Sequence, residues 1–167
     1  MQFERALQAL CDSHVQFVVI GGLSATFHGS ARVTYDLNIC YSRTPGNLRR
    51  LAQALAPFHP KPRGFPAGIP FLWDKTTLRN GSIFTLQTDI GEIDPLAEVA
   101  GLSAFDDVRT HAMTVEAFGR ELLTLDLPGT CPHCPNSKAS SNPASHSFTR
   151  SSHFDREDPV HPFTKHR

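Results

Sequence analysis

Asp36 and Asn38 stand two apart in Thr34-Tyr35-Asp36-Leu37-Asn38, at the start of a segment that alternates in polarity up to Tyr41. If that segment is a strand, alternation puts both polar side chains on one face, roughly 7 Å apart, and turns Leu37 to the core. Oxygen ligands at that spacing suit Mg²⁺ (or Mn²⁺), a hard cation that takes carboxylates together with the phosphates of its substrate. Asp94, in Gly91-Glu92-Ile93-Asp94-Pro95-Leu96, adds a third candidate on a strand expected to lie beside residues 34–41 in one sheet. A carboxylate there could accept the proton of an attacking hydroxyl or ligate the metal that activates it, as in-line phosphoryl transfer requires. Glu92 would share its face. The plainer account is a set of solvated polar groups at strand ends.

Gly21-Gly22-Leu23-Ser24 is the second feature with chemistry in it. It follows the β-branched and aromatic run Val15–Ile20 and opens a short helix, so backbone N–H groups, the helix dipole and the Ser24 hydroxyl would converge on one spot. An anion such as a triphosphate fits there. Two glycines between a strand and a helix are also commonly a turn and nothing more. His28, nearby, reads as a satisfied structural histidine.

The elements that must position these groups follow from periodicity. Phe3, Ala6, Leu7 and Leu10 fall at helical spacing, which predicts a helix over 3–11 ending near Ser13-His14. Val15 to Ile20 is a buried strand, Leu23 to His28 a helix closed by Gly29, and Thr34 to Tyr41 a second strand. Pro45 starts a helix with Leu48, Leu51, Leu55 and Phe58 inward. Prolines 60, 62, 66 and 70, with Gly64 and Gly68, predict an irregular loop without helix or ladder pairing, able to act as a flap. Ser82–Thr88 and Glu92–Leu96 are strand-like about a turn at Asp89-Ile90-Gly91. A short helix over Ala104–His111 precedes a strand pair, Met113–Phe118 and Glu121–Leu127, about Gly119-Arg120.

Composition bounds the rest. The 167 residues suffice for one domain and a tail, and Lys+Arg and Asp+Glu both total 16, so no basic coat advertises nucleic acid. Arg43, Arg49, Arg50, Lys61 and Arg63 would make a local basic face or simply a solvated one. The N-terminal residues show no leader pattern and no run long enough to span a bilayer, so a cytoplasmic protein is expected. Cys11 and Cys40 sit in apolar segments and read as reduced core residues, not nucleophiles. From Pro128 on, Ser, Pro, His, Asn and Thr dominate and Leu and Ile vanish, which predicts a disordered tail over 128–167. Cys131-Pro132-His133-Cys134, with His146 and His153, could bind zinc, but a single C-x-x-C in such a tail is better read as chance.

Together, Gly21-Gly22-Leu23-Ser24, Arg32-Val33-Thr34-Tyr35-Asp36-Leu37-Asn38 and Gly91-Glu92-Ile93-Asp94 resemble the signature of the DNA polymerase beta-like nucleotidyltransferase superfamily. The likeness is nearest to small bacterial members of toxin-antitoxin and abortive-infection systems and covers roughly residues 3–127. It implies an α/β (α+β) domain over residues 1–127, with a small mixed sheet flanked by helices. It implies that Gly21, Gly22 and Ser24 hold the phosphates of a nucleoside triphosphate, that Asp36, Asn38 and Asp94 bind metal, and that Asp36 and Asp94 are catalytic. The activity so implied is transfer of a nucleoside monophosphate to an RNA end, a protein side chain or a small molecule. A cognate toxin or antitoxin protein would be a natural partner.

Two departures qualify this expectation. The family pattern has an aspartate where this chain has Asn38, which removes one negative charge from the metal site and implies a weak or inactive catalyst, or a nucleotide- or partner-binding module. Family members also continue past the last strand into helices. The break at Pro128-Gly129 reads as translation in another frame with those helices lost.

Overall fold

The computed structural model describes residues 1–66 and 68–126. The expected tail over 128–167, with Cys131 and Cys134, lies outside the described residues.

Helix α1 (Phe3–Asp12) buries Ala6, Leu7 and Leu10, as its spacing requires, and is followed by strand β1 (Phe17–Ile20). Helix α2 (Gly21–Phe27) starts directly at the end of β1, and strand β2 (Asp36–Tyr41) returns antiparallel to it. Helix α3 (Pro45–Leu55) has proline in its first turn, where no N–H is missed, and runs into a 3-10 turn at Ala56–Phe58. Then come β3 (Lys61–Pro62), α4 (Lys75–Asn80), β4 (Leu86–Thr88) and β5 (Gly91–Leu96). The chain continues through β6 (Glu98–Val99), β7 (Ser103–Ala104), α5 (Phe105–Thr110), β8 (Ala112–Ala117) and β9 (Arg120–Leu125).

Seven strands form one mixed sheet in the order β3-β4-β5-β2-β1-β9-β8, and β6 and β7 form a separate hairpin. Strands β2 and β5 pair in parallel, as do β1 and β9; the other neighbours are antiparallel. The expected α/β architecture, a mixed sheet flanked by helices, is what the chain adopts.

Each face of the sheet has its own core. Phe17, Val19, Leu37, Ile39, Tyr41 and Ile93 pack with α1 and α3 residues on one side. On the other, Val18, Ile20 and Cys40 meet Phe105 and Val108 of α5, with Leu96 at the margin. That second cluster ends at Cys40 and Leu96. Farther along the same face of β2 and β5 come Asn38 and Asp94, then Asp36 and Glu92.

Several boundaries differ from the sequence expectation. Lys61–Pro62 does pair, with Leu86 and Gln87 of β4, despite the density of prolines around it. It is an edge strand, so Pro62 can leave its missing donor on the open side. The strand expected from Ser82 is shorter: only Leu86–Thr88 pairs continuously, and Ile83 makes an isolated bridge to Leu96. Helix α4 has a signal that periodicity overlooks, since Asp74 caps it by accepting from the Thr77 N–H at 2.8 Å. Its far end is held by Arg43, which donates to the carbonyls of Arg79 and Gly81.

One buried polar side chain ties the start of β1 to the end of β2. Asn47 of α3 is wholly buried; its Oδ1 accepts from Gln16 N at 2.7 Å, and its Nδ2 donates to Gln16 O at 3.0 Å and Ser42 O at 2.8 Å. A side chain without both amide functions takes the partner from Gln16 N and from the buried Ser42 O, while Gln16 O keeps its bond from Ser42 N. Asn47→Leu is expected to lower unfolding free energy by about 3 kcal/mol. Urea denaturation checks this, and a loss under about 1 kcal/mol would mean that water replaces the amide.

Candidate functional site

The sheet register assembles the acidic site. Asp36 lies opposite Glu92 and Asn38 opposite Asp94 on the paired strands β2 and β5, so all four side chains leave one face. Leu37 and Ile93, the alternating neighbours, are fully buried on the other face. The strand adjacency expected for Asp94 is therefore present, and Glu92 joins it.

Hydrogen bonds define the state of each group. Asp36 Oδ1 accepts from the Thr34 hydroxyl at 2.9 Å, and its Oδ2 accepts from Asn38 Nδ2 at 2.8 Å. Partial burial works against the Asp36 charge, but the bonds from Asn38 and Thr34 outweigh it and hold the carboxyl below the usual aspartate range. Arg63 donates from Nη1 to Glu92 at 2.9 Å and from Nη2 to both oxygens of Asp94. The Asp94 side chain is only 13% exposed, against 33% for Arg63, so the ion pair reaches from a shielded carboxylate to a half-open guanidinium. Bonding to Asp94 raises the Arg63 pKa further above its already high value.

Arg63 is the residue that sequence reasoning missed. It belongs to the proline-rich segment, 31 positions before Asp94, where its sequence neighbours suggest only a basic face. Pairing of β3 with β4 and a bond from Arg63 N to Thr85 O bring it to the site. No local spacing encodes that placement. Of the other arginines in that group, Arg43 is spent on the end of α4.

The glycine turn lies against this site and is tightly filled. Gly21 adopts φ +67°, a backbone state that suits glycine, and a Cβ there would stand 3.2 Å from the Asn38 side chain. A Cβ on Gly22 would fall 2.5 Å from Thr34 Oγ1. Both glycines are thus explained by the close passage of Thr34 and Asn38. Ser24 goes elsewhere: it is 2% exposed, its hydroxyl donates to Leu125 O at 3.2 Å, and it accepts from Thr124 Oγ1 at 2.9 Å. The phosphate cradle expected from Gly21, Gly22 and Ser24 therefore has its hydroxyl committed to β9. His28 Nε2 lies 2.7 Å from Leu125 O, a structural partner as expected. Burial pushes the Cys40 thiol up to about 11, which keeps it protonated and unreactive.

Asp36, Asn38 and Asp94 offer hard oxygen atoms, the kind of donor that Mg²⁺ or Mn²⁺ accepts. Among the described residues, however, no three His, Cys, Asp or Glu side chains are grouped to hold a metal ion. The carboxylate oxygens are satisfied by Thr34, Asn38 and Arg63. The donors fit such a cation in chemical kind, provided that Arg63 withdraws.

Compared with known proteins, the chain matches no family model, no curated protein and no solved structure. Among the described residues no helix is long and apolar enough to cross a membrane.

The Asp36 network has a direct readout. Its folded pKa lies below the unfolded one, so its contribution to stability is present above the ordinary carboxylate range and is lost as pH falls through the folded value. In a carboxyl-carbon NMR titration Asp36 is expected to ionise below the usual aspartate range, and Asn38→Leu to move that midpoint upward. An unchanged midpoint would remove Asn38 as its cause.

Proposed function

We propose that the acidic face of β2 and β5 is a nucleotidyl-transfer site, slow because Asn38 stands where a second aspartate is expected. The observation that supports this most is the register that sets Asn38 against Asp94, with Asp36 one alternation away on the same face. Donors for a cation and a base for a hydroxyl are thereby gathered on adjacent strands about 5 Å apart.

In this reading Asp36, Asp94 and the amide oxygen of Asn38 would hold Mg²⁺ or Mn²⁺, which would neutralise triphosphate charge and polarise the phosphate oxygens. The acceptor hydroxyl oxygen bonds to the α-phosphorus, the bond from that phosphorus to the pyrophosphate oxygen breaks, and the hydroxyl proton passes to a carboxylate, Asp94 by its placement. Gly21 and Gly22 let the turn approach closely, and Arg63 must leave Asp94 for the cation to enter. The acceptor is an RNA end, a protein side chain or a small molecule, in a cytoplasmic setting.

A second reading has its own support. Arg63 already neutralises Asp94 and Glu92, and the amide of Asn38 caps Asp36, which are the contacts of a site that holds itself closed. The chain would then be a non-catalytic nucleotide- or partner-binding module, with a cognate toxin or antitoxin protein as the natural partner.

Pyrophosphate release from mixed nucleoside triphosphates with Mg²⁺ or Mn²⁺ and total RNA separates the two. Slow release by the native chain, abolished by Asp36→Ala and raised about tenfold or more by Asn38→Asp, is the expected outcome. Release equally fast from native and Asn38→Asp would refute the role given to Asn38. Nucleotide binding without turnover in either would favour the module.

A further inference from the structure

We propose that Arg63 is a built-in counter-cation that occupies the acidic site and competes with a divalent cation for it. This rests on the cation-dependent reading above and concerns its regulation.

The contacts carry it. A single guanidinium nitrogen, Nη2, sits between both oxygens of Asp94, the position that a cation bound by both oxygens of a carboxylate would take. The neighbouring Nη1 engages Glu92, and Asp36 lies close enough to act on the same charge. Two carboxylates therefore share one guanidinium, which leaves an excess of negative charge. A shielded carboxylate such as Asp94 needs a cation beside it, and the structure provides this one from its own chain.

The mounting of Arg63 suits exchange. Strand β3, which precedes it, pairs over two residues at the edge of the sheet, and Arg63 itself is held by one backbone bond to Thr85. Its side chain is a third exposed, so water can receive the guanidinium when it leaves Asp94. The exchange is one cation for another, with no bond made or broken. Bringing in the divalent ion while Arg63 remains would set two positive charges side by side, so the ion pays for entry by expelling the guanidinium.

Mn²⁺ binding to the full chain, measured by electron paramagnetic resonance without nucleotide, tests this. Arg63→Gln is expected to bind Mn²⁺ at least about tenfold more tightly than the native chain, since a unit charge has left the site. Asp94→Asn added to that variant should abolish the gain. In Arg63→Ala, a low millimolar addition of free guanidinium should compete with Mn²⁺, an effect that a merely structural arginine would not produce. Equal, measurable affinities in native and Arg63→Gln chains would overturn the role of Arg63 and leave the cation site standing. No Mn²⁺ binding by either would overturn both. Should Arg63→Gln fold poorly, Arg63→Ala decides: it should bind Mn²⁺ more tightly than both the native chain and Arg63→Lys, which keeps the charge, and an Arg63→Ala affinity equal to that of Arg63→Lys would refute the proposal.

Discussion

Strand β2 must satisfy its backbone on both sides, and it does so with two neighbours of opposite sense, β1 antiparallel and β5 parallel. A parallel register fixes side-chain faces as strictly as an antiparallel one, because a slip of one residue would turn Leu37 and Ile39 to the polar side and Asp36 and Asn38 into the core. The apolar core against α1 and α3 therefore holds the acidic face in place from behind. Polar chemistry on one side of β2 is positioned by hydrophobic packing on the other. Asn47, which closes the far ends of β1 and β2, works to the same end.

The electrostatic consequence follows from that register. Bringing Asp36, Glu92 and Asp94 together on paired strands creates repulsion that the fold must offset, and it does so locally. Thr34 and Asn38 donate to Asp36, while Arg63 serves Glu92 and Asp94. Asn38 has two effects at once: it removes a charge that would add to the repulsion, and its amide donates to the charge that remains. An aspartate at that position would have neither effect, and would require a cation from outside.

Much of this was legible in the sequence. Helical spacing located α1 and α3, the glycine pair marked the turn after β1, and alternation gave the faces of β2. The placement of Asp94 beside β2 was expected from strand order. What stayed hidden depended on distant register. Arg63 comes to the site through a two-residue edge strand that its prolines seemed to forbid, and Ser24 is drawn to β9 by a partner a hundred residues away. Glycines 21 and 22 suited an anion cradle by pattern alone. Only the positions of Thr34 and Asn38 show that side chains fill that space.

The parallel pairing of β1 with β9 brings Val19 beside Thr124, contacts separated by almost the whole described chain. A ribosome makes β1 long before β9 exists, so for most of synthesis one edge of a strand whose four residues are all destined for the interior stays unpaired. Such an edge is a template for other strands until it closes, and pairing across so long a separation carries a high loop-closure cost. Strand β9 is thus the latch of this edge, since its pairing is what takes β1 out of reach of its neighbours in the cell.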